Sequence, residues 1–237
     1  MSYMVEGYHG EVAAHAPVSA RAAFIKRTYA HLAVAVAAFV GIEAALLQSG
    51  LGEQMLKTMF AVPGSWIGLM VLFVVGGMGA QYMARSRQPV GLQYAGLTLY
   101  VLLESVIFLP ILTIATLKFG AELPLQAGIV TLAVFGGLTA AVFVSGKDFS
   151  FLGPVLWVAS LLSLGLVVAA VLFGFSFGLL LCGLMVALAA GYIIYDTSNI
   201  MLHYGTGEHV AASLALFASV ALMFYYILRI FMISRND

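Results

Sequence analysis

Charge is what this sequence has least of. Asp, Glu, Lys and Arg make up 8% of its 237 residues, against about 25% in soluble globular domains, and that scarcity excludes a water-soluble fold. Basic residues are not in excess either. Ten Lys and Arg stand against ten Asp and Glu, so the positive stripe that attracts a phosphate backbone is missing, and no nucleic acid is expected as a partner. A single cysteine, Cys182, in the middle of an apolar run, excludes an internal disulfide and a cysteine-based metal cluster. The first twenty residues carry Glu6 and Glu11 and lack the apolar centre of a cleavable signal peptide. Signatures of membrane enzymes are absent too: there is no HExxH, no Gly-x-Ser-Gly matched to a buried His, and no Lys in the last apolar run for a retinal Schiff base. Neither enzymatic activity nor a cofactor is expected.

Apolar residues fill the space left by charge, at 63% of the chain and a mean hydropathy of +1.07. A helix crosses a bilayer with about twenty mostly apolar residues. Seven runs meet that length, at roughly 28–48, 64–83, 90–117, 124–145, 151–174, 177–202 and 211–233. The expected fold is an all-α polytopic membrane protein, with a seven-helix transmembrane domain over 23–237 and a mobile cytoplasmic tail over 1–22. Pro110 lies inside the long third run and predicts a tilt or a kink there. Small residues, Gly76, Gly77, Gly79 and Ala80, then Gly136 and Gly137, then Ala187 and Gly191, predict places where helices approach closely. Orientation follows the basic residues of short loops. A cytoplasmic N-terminus puts Arg21, Lys26, Arg27, Arg85, Arg87 and Lys147 inside against Lys57, Lys118 and Arg235 outside. The expected location is the cell inner (plasma) membrane, with the C-terminus outside. Arg229 is left out of that count because it sits near the outer end of the last run, where its side chain can snorkel.

Asp196 is the residue that needs explaining, because a carboxylate in hydrocarbon costs roughly 2.5 to 3.5 kcal/mol on insertion scales and marks a functional site by default. Tyr192, Asp196, Asn199 and His203 are spaced four, three and four, which puts them on one helical face. Asp196 falls about six residues, ~9 Å, from the cytoplasmic end of the sixth run, and Ser219 about eight residues, ~12 Å, from the start of the seventh. Antiparallel neighbours would bring the two to similar depth, within reach of a hydrogen bond. Glu43 and Glu104 are embedded farther out, about fourteen or fifteen residues from the cytoplasmic ends of the first and third runs. Oxygen-rich layers at two depths suit a hard cation such as Ca2+, with Asp196 and Glu104 as its ligands, or a proton relay. Each acid can instead be hydrogen-bonded within helix packing. Burial and neighbouring cations act on such carboxyls in opposite senses, so pH sensitivity is a corollary. Arg85 and Arg87 can serve as positive-inside anchors or pair with Asp196 as a gate. His31 reads as an interfacial polar residue, and the histidines show no metal-ligand spacing.

The stretch from Gly191 to Ile200, GYIIYDTSNI, resembles the YDT-type signature of the Bax inhibitor-1 family, also called transmembrane Bax inhibitor motif proteins. The stretch from Lys147 to Gly153, KDFSFLG, and the C-terminal SRND resemble the family's bacterial YccA-like branch. The likeness runs from about residue 21 to the end. It implies six helices around a central seventh and a pH-dependent Ca2+ leak. It also implies an aspartate pair between the last two helices, latched by an arginine after the second. Asp196 matches the first aspartate and Arg85 the latch. The second aspartate position falls on Ser219, so a single Asp–Ser hydrogen bond must replace the pair. The branch resemblance implies association with a membrane-anchored ATP-dependent protease, to which the cytoplasmic tail is suited.

Overall fold

The computed structural model describes residues 11–62, 64–85, 88–173 and 178–236, with side chains of 170–173 excepted. Among these residues all regular structure is helical, in eight helices: α1 (Val18–Gln48), α2 (Leu51–Ala61), α3 (Ser65–Ala84), α4 (Val90–Phe119), α5 (Glu122–Ser145), α6 (Leu152–Phe173), α7 (Gly178–Leu202) and α8 (His209–Ser234). Seven are long and apolar enough to cross a membrane, and they coincide with the seven runs of the sequence. Large apolar side chains such as Val144, Leu180 and Trp157 are exposed along them. In water this surface would be a liability; in lipid it carries no penalty. Burial concentrates in α4 and α8, where 61% and 44% of the apolar window is buried against 6% to 28% elsewhere.

The eighth helix, α2, lies where a loop was expected. Its eleven residues give a length of about 16 Å, half of what a span needs. Gly52, Leu56 and Met59 are buried on one face, and Glu53 and Lys57 fall elsewhere on the helix, so an amphipathic pattern too short to register as a span makes it fold. Gly50 (φ 74°) and Gly64 (φ 82°) supply the left-handed residues that turn the chain before α2 and before α3.

α1 begins at Val18, ten residues ahead of its apolar run, directly after Pro17. Pro fits there because a helix start needs no amide donor from it. Residues 11–16, inside the segment expected to be a mobile tail, are tied to the α7–α8 turn. Ala13 N–H donates to Tyr204 O (2.9 Å), Thr206 N–H donates to Glu11 O (3.0 Å), and Ala13 is fully buried.

The chain forms two compact units. The first comprises residues up to Pro110 and Ile200–Phe217. Phe39 of α1 packs edge-on against Phe108 of α4 and Phe217 of α8, with ring centroids 5.2 and 6.1 Å apart. α4 closes on α3 at Gly96, where an added Cβ would come within 2.6 Å of Ala80 O and 2.7 Å of Ala84 N. The second unit comprises Ile111–Asn199 and Ala218–Asp237. Leu156 of α6 and Met185 and Leu188 of α7 form its centre, flanked by Tyr192, Tyr195 and Leu222. At its edge Arg235 donates to Gln126 Oε1 of α5 (2.9 Å).

The small-residue expectation holds at Gly76 and Gly191, which face Leu103 and Leu156 closely. It fails at Gly79, Gly136 and Gly137, which meet nothing within 4 Å. Small residues on a lipid-facing surface look the same in sequence as those at a helix crossing.

Candidate functional site

Asp196 is built into the second unit by α7 and α8. Both it and Ser219 are buried, and Ser219 Oγ donates to Asp196 Oδ2 at 2.7 Å. The depth count along two antiparallel helices anticipates this bond. Thr197 and Ser198, the next residues on α7, are fully buried as well. Ser198 fastens the α5–α6 loop to α7: its Oγ accepts from Phe149 N–H (2.9 Å) and donates to Lys147 O (3.4 Å). Asp148 closes the same loop by accepting from Ser150 N–H (2.8 Å). The KDFSFLG motif therefore packs against α7 at Ser198, and its glycine, Gly153, lies where a Cβ would meet the Tyr195 ring at 3.1 Å.

The predicted polar stripe divides between two neighbours. Tyr192 turns to α6, where its hydroxyl bonds Ser160 Oγ (2.7 Å) and donates to Leu156 O (3.3 Å). Asp196 turns to α8. Asn199 is half-buried and His203 is exposed at the end of α7.

The other predicted residues lie in the first unit. Glu104 is buried on α4 and shares a hydrogen bond with Tyr100, one turn earlier. Glu43 is buried on α1, and neither carboxyl oxygen has a hydrogen-bond partner among the described residues. Arg85 ends α3 exposed, its guanidinium 5.8 Å from the Tyr82 ring centroid. Arg87 lies outside the described residues.

One cluster escapes sequence reasoning. His31 of α1, Tyr94 of α4 and His209 of α8 meet, with the Tyr94 hydroxyl 3.0 Å from His31 Nε2 and 3.3 Å from His209 Nε2. His209 opens α8 rather than lying in a loop. No spacing signal joins residues 63 and 115 positions apart.

A family model described as inhibitor of apoptosis-promoting Bax1 matches residues 21–236. The chain belongs to the Bax inhibitor-1 family. Mouse protein lifeguard 4 is 31% identical to it over 226 residues, 93% of this chain and 89% of that protein. The BI1-like protein of Arabidopsis thaliana is 40% identical over 120 residues, 45% of this chain and 43% of that protein. Bax inhibitor 1 of Schizosaccharomyces pombe is 37% identical over 125 residues, 50% and 46% of the two chains. The chain thus spans under half the length of these last two relatives. In this member of the Bax inhibitor-1 family, no three His, Cys, Asp or Glu among the described residues gather into a group able to hold a metal ion.

Proposed function

We propose that this membrane protein is a pH-modulated leak pathway for Ca2+ across the bacterial inner membrane, with its N-terminus in the cytoplasm and Asp196 as the gate. The observation that carries this reading is the 2.7 Å bond from Ser219 to Asp196, buried between two membrane-spanning helices. Ca2+ takes six to eight oxygen ligands. Asp196 and Ser219 supply only part of such a shell, which suits an ion in passage, completed by water, rather than a resident one. An ionised Asp196 can only accept from Ser219, whereas a protonated one can also donate. The α7–α8 contact therefore depends on protonation, and this supports the pH modulation. Glu104 is the second acid assigned to the pathway. The latch falls to Arg85, by the family resemblance. The protease-partner reading rests on the branch resemblance alone and assigns no residue of this structure, so the leak is put forward ahead of it.

Purified protein in liposomes loaded with a Ca2+ indicator tests the reading. Influx should exceed that of protein-free liposomes, change with pH, and slow in Asp196→Asn and in Glu104→Gln. Flux equal to wild type in both variants removes these residues from the pathway, and flux no faster than in empty liposomes removes the leak itself.

A further inference from the structure

Apart from the acid residues, the first unit holds a groove between α1 and α4 of about 410 Å³, lined by Ala35, Ala38, Ile42, Leu97, Val101 and Leu102, with His31 and Tyr94 at one end. That volume falls within the roughly 300–1,000 Å³ of ligand pockets. We propose that this groove seats one acyl chain of an anionic phospholipid, whose phosphate is held at its mouth by Arg27, His31, Tyr94 and His209.

The groove opens toward lipid. Val34 and Leu102, on its rim, are 68% and 47% exposed on membrane-spanning helices. Alanines at 30, 35 and 38 leave the trough, since a longer side chain at any of them would fill it. From His31 to Ile42 the groove runs eleven residues, about 16 Å. This is half of the ~30 Å hydrocarbon core, the depth of one leaflet. A single chain entering from one side matches that length.

The polar end lies where headgroups sit. α1, α4 and α8 are the first, third and seventh spans and enter from one side of the membrane. Tyr94 is the fifth residue of α4 and His209 the first of α8. The mouth carries the guanidinium of Arg27, an electrostatic neighbour of His209, beside the polar atoms of two imidazole rings and a hydroxyl. His31 Nδ1 lies 2.7 Å from Arg27 O, which directs its Nε2 toward Tyr94. A tyrosine hydroxyl has one proton and cannot donate to both rings, so one ring donates to it. The His209 ring is held toward the backbone of Gly207, and its electrostatic neighbours are His31 and Arg27. The adjacent acid, Glu208, is turned onto its own loop, where it accepts from Gly205 N–H (2.8 Å). Donors with basic charge select an anionic phosphate over a zwitterionic headgroup.

The test uses the full chain in phosphatidylcholine vesicles containing a minor share of phosphatidylglycerol, with a photoactivatable acyl chain on one lipid or the other. Cross-links mapped by peptide mass spectrometry should fall within 34–42 and 97–102 and favour phosphatidylglycerol. Ala38→Phe should abolish labelling there. Arg27→Gln combined with His31→Gln, at the exposed mouth and outside the packed core, should keep the labelled positions but lower the phosphatidylglycerol preference about fivefold, as loss of basic charge at a membrane surface predicts. Excess inorganic phosphate should leave labelling unchanged. Label spread evenly over the lipid-facing helices, equal labelling by both lipids, or displacement by inorganic phosphate would each overturn the proposal.

Discussion

Asp196 and Ser219 are one acceptor and one donor closed off from water, and that makes their substitutions unequal. Ser219→Ala leaves a buried carboxyl oxygen unsatisfied, at a cost of about 1–3 kcal/mol, and should lower the thermal unfolding midpoint in detergent. Asp196→Asn keeps an oxygen that can accept from Ser219, so it should unfold nearer to wild type while still slowing Ca2+ flux. A midpoint drop in Asp196→Asn as large as in Ser219→Ala would mean that the pair serves stability alone. Glu43 presents the reverse situation, a buried carboxyl with no hydrogen-bond partner among the described residues. Glu43→Leu replaces it with an apolar side chain and should stabilise the protein by on the order of 1 kcal/mol, raising the midpoint; a fall would mean that Glu43 has a partner when the protein is in lipid. The Asp196–Ser219 pair is legible in sequence because helix rise converts residue number into depth. The bond from Tyr192 to Ser160 and the meeting of His31, Tyr94 and His209 are not, because depth says nothing about which neighbour a side chain turns to.

Among the glycines of the described helices, Gly96 meets the tightest surroundings, where α4 closes on α3. Its virtual Cβ would strike backbone atoms of Ala80 and Ala84, which cannot rotate away as the Leu103 side chain can from Gly76. Gly96→Ala should therefore destabilise the protein by about 1–3 kcal/mol, the usual cost of overpacking. Gly136→Ala, which meets open space, should cost nothing and serves as the control. Equal midpoints for the two variants in a detergent melt would contradict this crossing. Sequence shows both glycines but not the difference between them, since proximity depends on helix rotation. α2 illustrates a related limit: Gly52, Leu56 and Met59 lie on one face, yet eleven residues between two spans read as a loop when only length and hydropathy are counted.

At the scale of the molecule, the spans were the most legible part, because a bilayer imposes a minimum apolar length that few loops imitate. The tie between residues 11–16 and the α7–α8 turn was hidden, since it joins backbone to backbone and leaves no mark on composition. Deleting residues 1–16 removes the acceptor of the Thr206 amide, Glu11 O. Hydrogen exchange at Thr206 should then speed up while the interior of α8 stays protected; unchanged exchange at Thr206 would mean that the turn holds without the strap. The strap also sets an order for biosynthesis. Ala13 leaves the ribosome 191 positions before Tyr204, its acceptor. At about 5–20 residues per second the first half of that contact waits roughly 10–40 s for the second. Residues 11–16 are thus made well before the turn they dock on, and they reach their final place only after α7 has been made.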